Sequence, residues 1–399
     1  MNYLQRKKLA FIKAVNSVKG FVRSIAGIPP LTLPNCVDNK SVINYSIYGN
    51  SAQDGIPTPA NPIEIESVGE YDEASGKYKI PVVARGKNLF DIGKIYNVTL
   101  SNGAYIINNQ DGTLTIGGTY TVNSLKTLKE LCPLLEVGDV AVLRAESNAV
   151  NTGTVLNRVY LANGTTLYFN IPFTVTQAFL DSSLIFYSSK DTNNVISESY
   201  YKNIQIEIGG TVTEYEPYKE PITTDIYLDK PLMGIGKAFD YIDFENQKVV
   251  RKIGNCLLGV SARREINHDT LISYYYLVPD KTKVADTTIV ELLSPSLLGI
   301  PRNKNITLYN TPAVSSNANT DVVFYYLYRD DVGGDTHALV QAYLQANPIT
   351  IYYELATPVE ESISLPTLPT LEGTTVYEID TEVQPSNMEV TYYSSQKGE

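Results

Sequence analysis

Two polar-rich motifs bracket the middle of the chain and constrain its fold more than any other feature. Gly86-Lys-Asn-Leu-Phe-Asp91 opens a stretch dense in Thr, Asn, Gly and Tyr, and Asn203-Ile-Gln-Ile-Glu-Ile-Gly-Gly-Thr-Val-Thr-Glu-Tyr-Glu-Pro-Tyr218 closes it. In the closing motif Ile204, Ile206 and Ile208 alternate with Gln205 and Glu207, the period-two pattern of a strand buried on one face. Gly209-Gly210 then ends it. Between the motifs, strands are predicted over 104–108, 113–121, 140–145, 158–162, 166–171 and 178–183, separated by turns such as Asn102-Gly103, Asp111-Gly112 and Asn163-Gly164. Short strands at this spacing predict two packed antiparallel sheets over 86–221. Leu125, Leu128, Leu131 and Leu135 are spaced for one short helix over 124–135.

The flanks divide into three further parts. Residues 1–33 carry an apolar seam, Phe11, Val15, Val18, Val22 and Ile25, with Lys13, Lys19 and Arg23 elsewhere on the wheel, so an amphipathic helix is predicted there, stopped by Gly27 and Pro29-Pro30. Residues 34–85 read as a small β connector, with strands over 41–48 and 79–84; Pro81 marks the second as an edge. Residues 222–399 read as a β-rich domain with a hairpin formed by 241–244 and 248–252, strands over 272–278, 322–328 and 349–355, and a helix over 337–346. A terminal hairpin or strand addition is expected over 371–393. The fold class is therefore mainly β, a leading α-helix followed by a connector, a jelly-roll-like antiparallel sandwich and a C-terminal β domain.

At 399 residues the chain is longer than one core usually organises. Its net charge is −11, yet Arg6, Lys7, Lys8, Lys13, Lys19 and Arg23 precede every acidic residue. The body is thus acidic, which argues against nucleic acid as its partner. Cys36, Cys132 and Cys256 are odd in number and far apart, as reduced structural thiols are. Lys13, Lys19 and Arg23 interrupt any signal-peptide core, and no stretch approaches the length of a membrane span, so neither is expected.

Signals for catalysis are weak. His268 and His337 are the only histidines, with no nucleophile elbow, and no Cys or His pair has zinc-ligand spacing. No catalytic residue, cofactor or metal is therefore assigned. Paired carboxylates could cleave a glycan, and Asp240, Asp243 and Glu245, or Asp330 and Asp331, are the candidates; turn acids Asp181 and Asp191 are the weak calcium candidates. Sugar binding is better supplied. Pyranose C–H faces lie on aromatic rings while their hydroxyls need amide partners, and the chain has 30 Tyr and no Trp. Tyr168, Tyr187, Tyr200 and Tyr201 with Asn170 and Asn203 are the candidate binding set, with Asn163 and Asn193 nearby. Alternation places one ring of Tyr200-Tyr201 in the core and one outside. Tyr274, Tyr276, Phe324, Tyr326 and Tyr328 are candidate stripes in the last domain.

With these residues in hand the chain resembles tail proteins of phages and prophages of Gram-positive bacteria. The motifs that carry the resemblance are Tyr48-Gly-Asn-Ser-Ala-Gln-Asp-Gly-Ile-Pro-Thr-Pro59, Lys87-Asn-Leu-Phe-Asp91, Asn203-Ile-Gln-Ile-Glu207 with Thr213-Glu-Tyr-Glu-Pro217, Tyr241-Ile-Asp-Phe-Glu-Asn-Gln-Lys-Val-Val-Arg251 and Tyr352-Tyr-Glu-Leu-Ala-Thr-Pro358. The resemblance implies a homotrimeric tail-fibre or baseplate component, made in the bacterial cytoplasm and assembled into a virion or tail-like particle. It also implies a carbohydrate-binding jelly roll directed at host surface glycan, and docking on other tail proteins through the N-terminal helix. A structural adapter without a receptor and a glycan hydrolase are the alternatives. Deleting residues 1–28 is expected to leave the β domains folded and abolish incorporation into particles; normal incorporation would remove the docking role.

Overall fold

The structure, a computed structural model, describes residues 31–32, 42–53, 55–264, 270–278, 281, 290, 292–301, 311–316, 322–379 and 388–393. The docking helix, with Phe11, Lys13, Val15, Val18, Lys19, Val22, Arg23 and Ile25, lies outside the described residues, as do Cys36 and His268. The chain is mainly β, in many antiparallel sheets. It forms two compact units, one from Met1–Asn39, Val83–Thr224 and Leu368–Glu378, the other from Lys40–Val82, Asp225–Thr367 and Ile379–Glu399. The stretch 34–85, read from sequence as one connector, is therefore divided, with 40–82 clustering with the later domain and its two ends with the first unit.

In the first unit a six-stranded antiparallel sheet has the order Pro172–Thr174, Val140–Ser147, Ser199–Ile208, Thr113–Gly117, Tyr105–Asn108, Val98–Thr99. A four-stranded antiparallel sheet has the order Thr121–Thr127, Ser183–Tyr187, Arg158–Leu161, Thr166–Tyr168. Both sheets supply one apolar core, in which Leu114, Ile116, Leu143 and Ile206 from the first meet Val122, Val159, Leu161 and Phe186 from the second. Tyr201 sits at its centre, edge-on to Phe186 with ring centroids 5.0 Å apart.

A bulge keeps the central strand in this core. Tyr201 and Ile204 are three residues apart, so regular pleating would send them to opposite faces. The register slips between Arg144 opposite Gln205 and Glu146 opposite Lys202, which inserts one extra residue on the Ser199–Ile208 strand. Asn203 carries a left-handed φ of 54° there, and both Tyr201 and Ile204 face inward.

The two bracketing motifs bind each other. Asn88 donates from Nδ2 to the carbonyls of Ile204 (3.1 Å) and Glu216 (3.0 Å), and its Oδ1 accepts from the amides of Phe90 (2.9 Å) and Ile206 (3.3 Å). Gln205 and Glu207, expected to face solvent, are 0% and 4% exposed. The returning segment covers them. Thr213 gives its amide to Glu207 Oε1 (2.8 Å) and its hydroxyl to Oε2 (2.7 Å), and the Glu216 amide reaches Gln205 Oε1 (2.8 Å). Gln205 Nε2 also donates to Glu207 Oε1 at 3.0 Å. Glu216 takes Lys87 Nζ at 2.9 Å and the amide and hydroxyl of Thr374. Burial works against its charge, but the Thr374 and Lys87 bonds hold the Glu216 carboxyl below its ordinary range. That contribution to stability is present at neutral pH and is lost as the pH falls through the carboxylate range.

The second unit has a six-stranded antiparallel sheet in the order Leu292–Leu293, Thr350–Ser362, Lys248–Leu257, Tyr241–Asp243, Val42–Tyr48, Met388–Tyr393. The predicted hairpin is present, with Asp243 opposite Lys248. Its anchor is Asp240, 2% exposed, which accepts from the amides of Met233 (3.1 Å), Lys252 (2.7 Å) and Ile253 (2.9 Å) and from Arg251 (3.4 Å). The sheet containing Leu271–Leu277 and Val322–Tyr328 pairs Tyr274 with Tyr325 and Tyr275 with Phe324. The helix His337–Ala346 starts at Thr336, whose hydroxyl accepts from the Leu339 amide.

Several expectations give way to tertiary context. The run 113–121 breaks into Thr113–Gly117 and Thr121–Thr127 at Gly118, where φ is 81° and a Cβ would lie 1.8 Å from the Gly103 oxygen. The helix expected over 124–135 shrinks to Leu128–Leu131, capped by a Thr127–Glu130 box; Leu125 is exposed while Leu128, Leu131 and Leu135 are buried. Residues 178–180 belong to the helix Gln177–Leu180, and the strand begins at Ser183. Pro81 is not on an edge, since Lys77–Arg85 is interior to its sheet. The strands Val376–Ile379 and Met388–Tyr393 join different sheets, so the C-terminal part adds strands and makes no hairpin of its own.

The Asn88→Ala variant is expected to lose about 3 kcal/mol of first-unit stability, because four bonds go and buried backbone groups are left unpaired. Chemical denaturation of the full chain checks this; a loss below about 1 kcal/mol would show the network to be dispensable.

Candidate binding face

Strand alternation in the four-stranded sheet sends one set of side chains outward. Thr121 lies opposite Tyr187, Asn123 and Tyr160 opposite Ile185, Tyr160 opposite Thr166, and Arg158 opposite Tyr168. Inward neighbours Val122, Val159, Leu167, Leu184 and Phe186 fill the core. The outer face therefore carries Tyr160, Tyr168, Tyr187 and Arg158 in one band.

Segments beside the sheet complete it. Tyr120, immediately before Thr121–Thr127, places its ring 5.2 Å from that of Tyr187, and Tyr160 lies 5.3 Å from Tyr187 on centroids. The Arg158 guanidinium sits 5.8 Å from the Tyr160 ring centre and 5.9 Å from that of Tyr187; Lys190 Nζ sits 5.6 Å from that of Tyr120. These are cation–π distances. Tyr187 is buried beneath its neighbours, Tyr120 and Tyr160 are half-buried, and Tyr168 is 46% exposed. Tyr201 supports the band from inside, its hydroxyl accepting from the Tyr187 amide (3.1 Å) and donating to the Tyr187 carbonyl (3.3 Å). Burial raises the pKa of Tyr201 well above the usual phenol range, so it remains a neutral donor.

The candidate residues divide accordingly. Tyr168 and Tyr187 are together on this face, and Tyr187 can offer little more than an edge. Tyr201 is a core residue. Tyr200, 44% exposed, is on the outer face of the other sheet, where the Lys202 ammonium lies 6.0 Å from its ring centre. Alternation thus separates Tyr200 from Tyr201 as expected. Asn170 and Asn203 occupy left-handed positions, with φ 63° and 54°. Asn203 also donates to Glu146 at 2.7 Å, and the Asn170 amide donates to the Leu143 carbonyl. Their roles are in the backbone turns they make. Asn163 holds its own turn through the Thr165 amide and donates to the Ala178 carbonyl; Asn193 is in the Asp191 turn.

Sequence reading missed Arg158, Tyr160, Tyr120 and Lys190. The signal for the first two was available, because residues two apart in Arg158–Leu161 share a face. Two of the acids considered for catalysis have structural partners, Asp240 as above and Asp243 with the amide and Nδ2 of Asn246. Asp181 and Asp191 bond Gln177 and the local turn. Among the described residues no group of three His, Cys, Asp or Glu is gathered. The Tyr–Phe stripes of the second unit pack on opposite faces of their sheet, Tyr274 and Tyr276 with one apolar cluster and Phe324, Tyr326 and Tyr328 with another. No described helix is long and apolar enough to cross a membrane. Comparison with known protein families, with characterised proteins and with solved structures finds no match to this chain.

Proposed function

We propose that this chain is a structural component of a phage tail or tail-like particle that binds host surface glycan through the outer face of its four-stranded sheet. The observation that carries the binding reading is the band of Tyr120, Tyr160, Tyr168 and Tyr187, with Arg158 among the rings and Lys190 against Tyr120. Flat rings accept sugar C–H faces, and tyrosine hydroxyls and cations supply the hydrogen bonds that ring hydroxyls require. The two-sheet layering over one core fits the jelly-roll-like carbohydrate-binding module implied by the motifs. The five motifs and their order along the chain support the tail-particle part, and the homotrimer and N-terminal docking are what that resemblance implies.

The full chain is expected to bind host cell-wall polysaccharide, and Tyr168→Ala or Tyr160→Ala should each weaken binding by about tenfold, the loss of one stacking ring. Tyr200→Ala, on the other sheet, should leave it unchanged. Equal losses at Tyr200 and Tyr168 would move the site, and silence across wall polysaccharides would favour the structural adapter.

A further inference from the structure

The cations of the first unit are unevenly satisfied. Lys87 pairs with Glu216, Lys94 with Asp91, Lys126 with Glu130, Lys202 with Glu146, Lys219 with Glu372 and Arg85 with Glu378. Arg144 donates to the Thr213 carbonyl, and Lys129 to those of Pro133 and Leu135. Arg158 and Lys190 differ. Among the described residues neither has a carboxylate or hydrogen-bond partner for its side chain, and both lie against the same tyrosine band. Arg158 Nε is fully buried and meets no acceptor.

The chain is acidic overall, with 43 Asp and Glu, yet among the described residues no carboxylate is paired with Arg158 or Lys190. Tyrosine faces hold the guanidinium in place with Nε enclosed, and the two terminal nitrogens, which have no acceptor among the described residues, are the pair that can take a carboxylate or phosphate through two parallel bonds. Tyr168, directly across the strand pair from Arg158, offers an exposed ring beside it.

We propose that the ligand of this face is an anionic saccharide, its carboxylate or phosphate held by Arg158 with support from Lys190 while a neighbouring sugar ring lies on Tyr168. This rests on the glycan-binding reading above and adds the charge of the ligand. The shared chemistry is an oxyanion on a sugar polymer, and the two sources are separated by the probes.

Calorimetric titration of the full chain with polygalacturonate, its carboxyl-reduced neutral counterpart and poly(glycerol phosphate) tests it. At least one of the anionic polymers should bind about tenfold more tightly than the neutral polymer, as a charge-assisted contact implies, and the advantage should shrink as salt is raised. The tighter of the two anionic polymers identifies the oxyanion. Arg158→Gln should erase the preference, Arg158→Lys should retain part of it, and Lys202→Gln on the other sheet should change nothing. Each variant is first checked for an unaltered melting transition; should Arg158→Gln not fold, Lys190→Gln combined with Arg158→Lys carries the test. Equal affinity for charged and neutral polymers, no binding of either anionic polymer, or a preference that survives Arg158→Gln overturns the inference. Binding of neutral polymer that is lost in Tyr168→Ala would leave the glycan-binding reading standing without it.

Discussion

The carboxylate of Glu207 and the amides of Asn88 and Gln205 form the constraint on which the first unit depends. They are polar groups on or beside a central strand, shut away from water, and they are tolerable only because each finds a partner. Those partners come from Ile204–Ile206 and from 213–216, segments that approach only when both ends of the sandwich are in place. A network of this kind specifies one register where an apolar face would accept several. It also ties down the chain entering and leaving the layered sheets. Asn88 spans both in a single side chain.

A sheet fixed in this way can hold an outer surface that is not itself optimised for stability. The two outer faces of the first unit differ in that respect. On the six-stranded sheet, Lys202 meets Glu146, Asn203 meets the same carboxylate, and Tyr105 donates to Glu198, so the polar groups are spent on one another. On the four-stranded sheet Arg158, and beside it Lys190, have tyrosine rings as their side-chain partners among the described residues. Stability would be served by an acid at this place. On the glycan-binding proposal, its omission is a stability cost accepted for the ligand.

Local chemistry was legible in the sequence, and non-local chemistry was not. The Asn102-Gly103, Asp111-Gly112 and Asn163-Gly164 turns needed only their own residues, and each glycine has positive φ. The helix His337–Ala346 and the hairpin around 245–247 were equally self-contained. Gln205 and Glu207 misled because their alternation was real, while the cover supplied by Thr213 and Glu216 comes from beyond a Gly-Gly turn. The Asn203 bulge is invisible without the partner strand, and the Gln177–Leu180 helix depends on a Thr176 cap and on burial of Leu180. Of the binding face, Tyr168 was legible as an exposed strand tyrosine. Tyr120 and Lys190 reach it only through pairing between Thr121–Thr127 and Ser183–Tyr187.

A structure of the full chain with a bound acidic oligosaccharide tests the central claim most directly. The sugar is predicted to lie on Tyr160 and Tyr168 with its acid group at the Arg158 guanidinium. A ligand seated instead over Tyr105 and Tyr200 on the six-stranded sheet, with Arg158 still facing no anion, would contradict it.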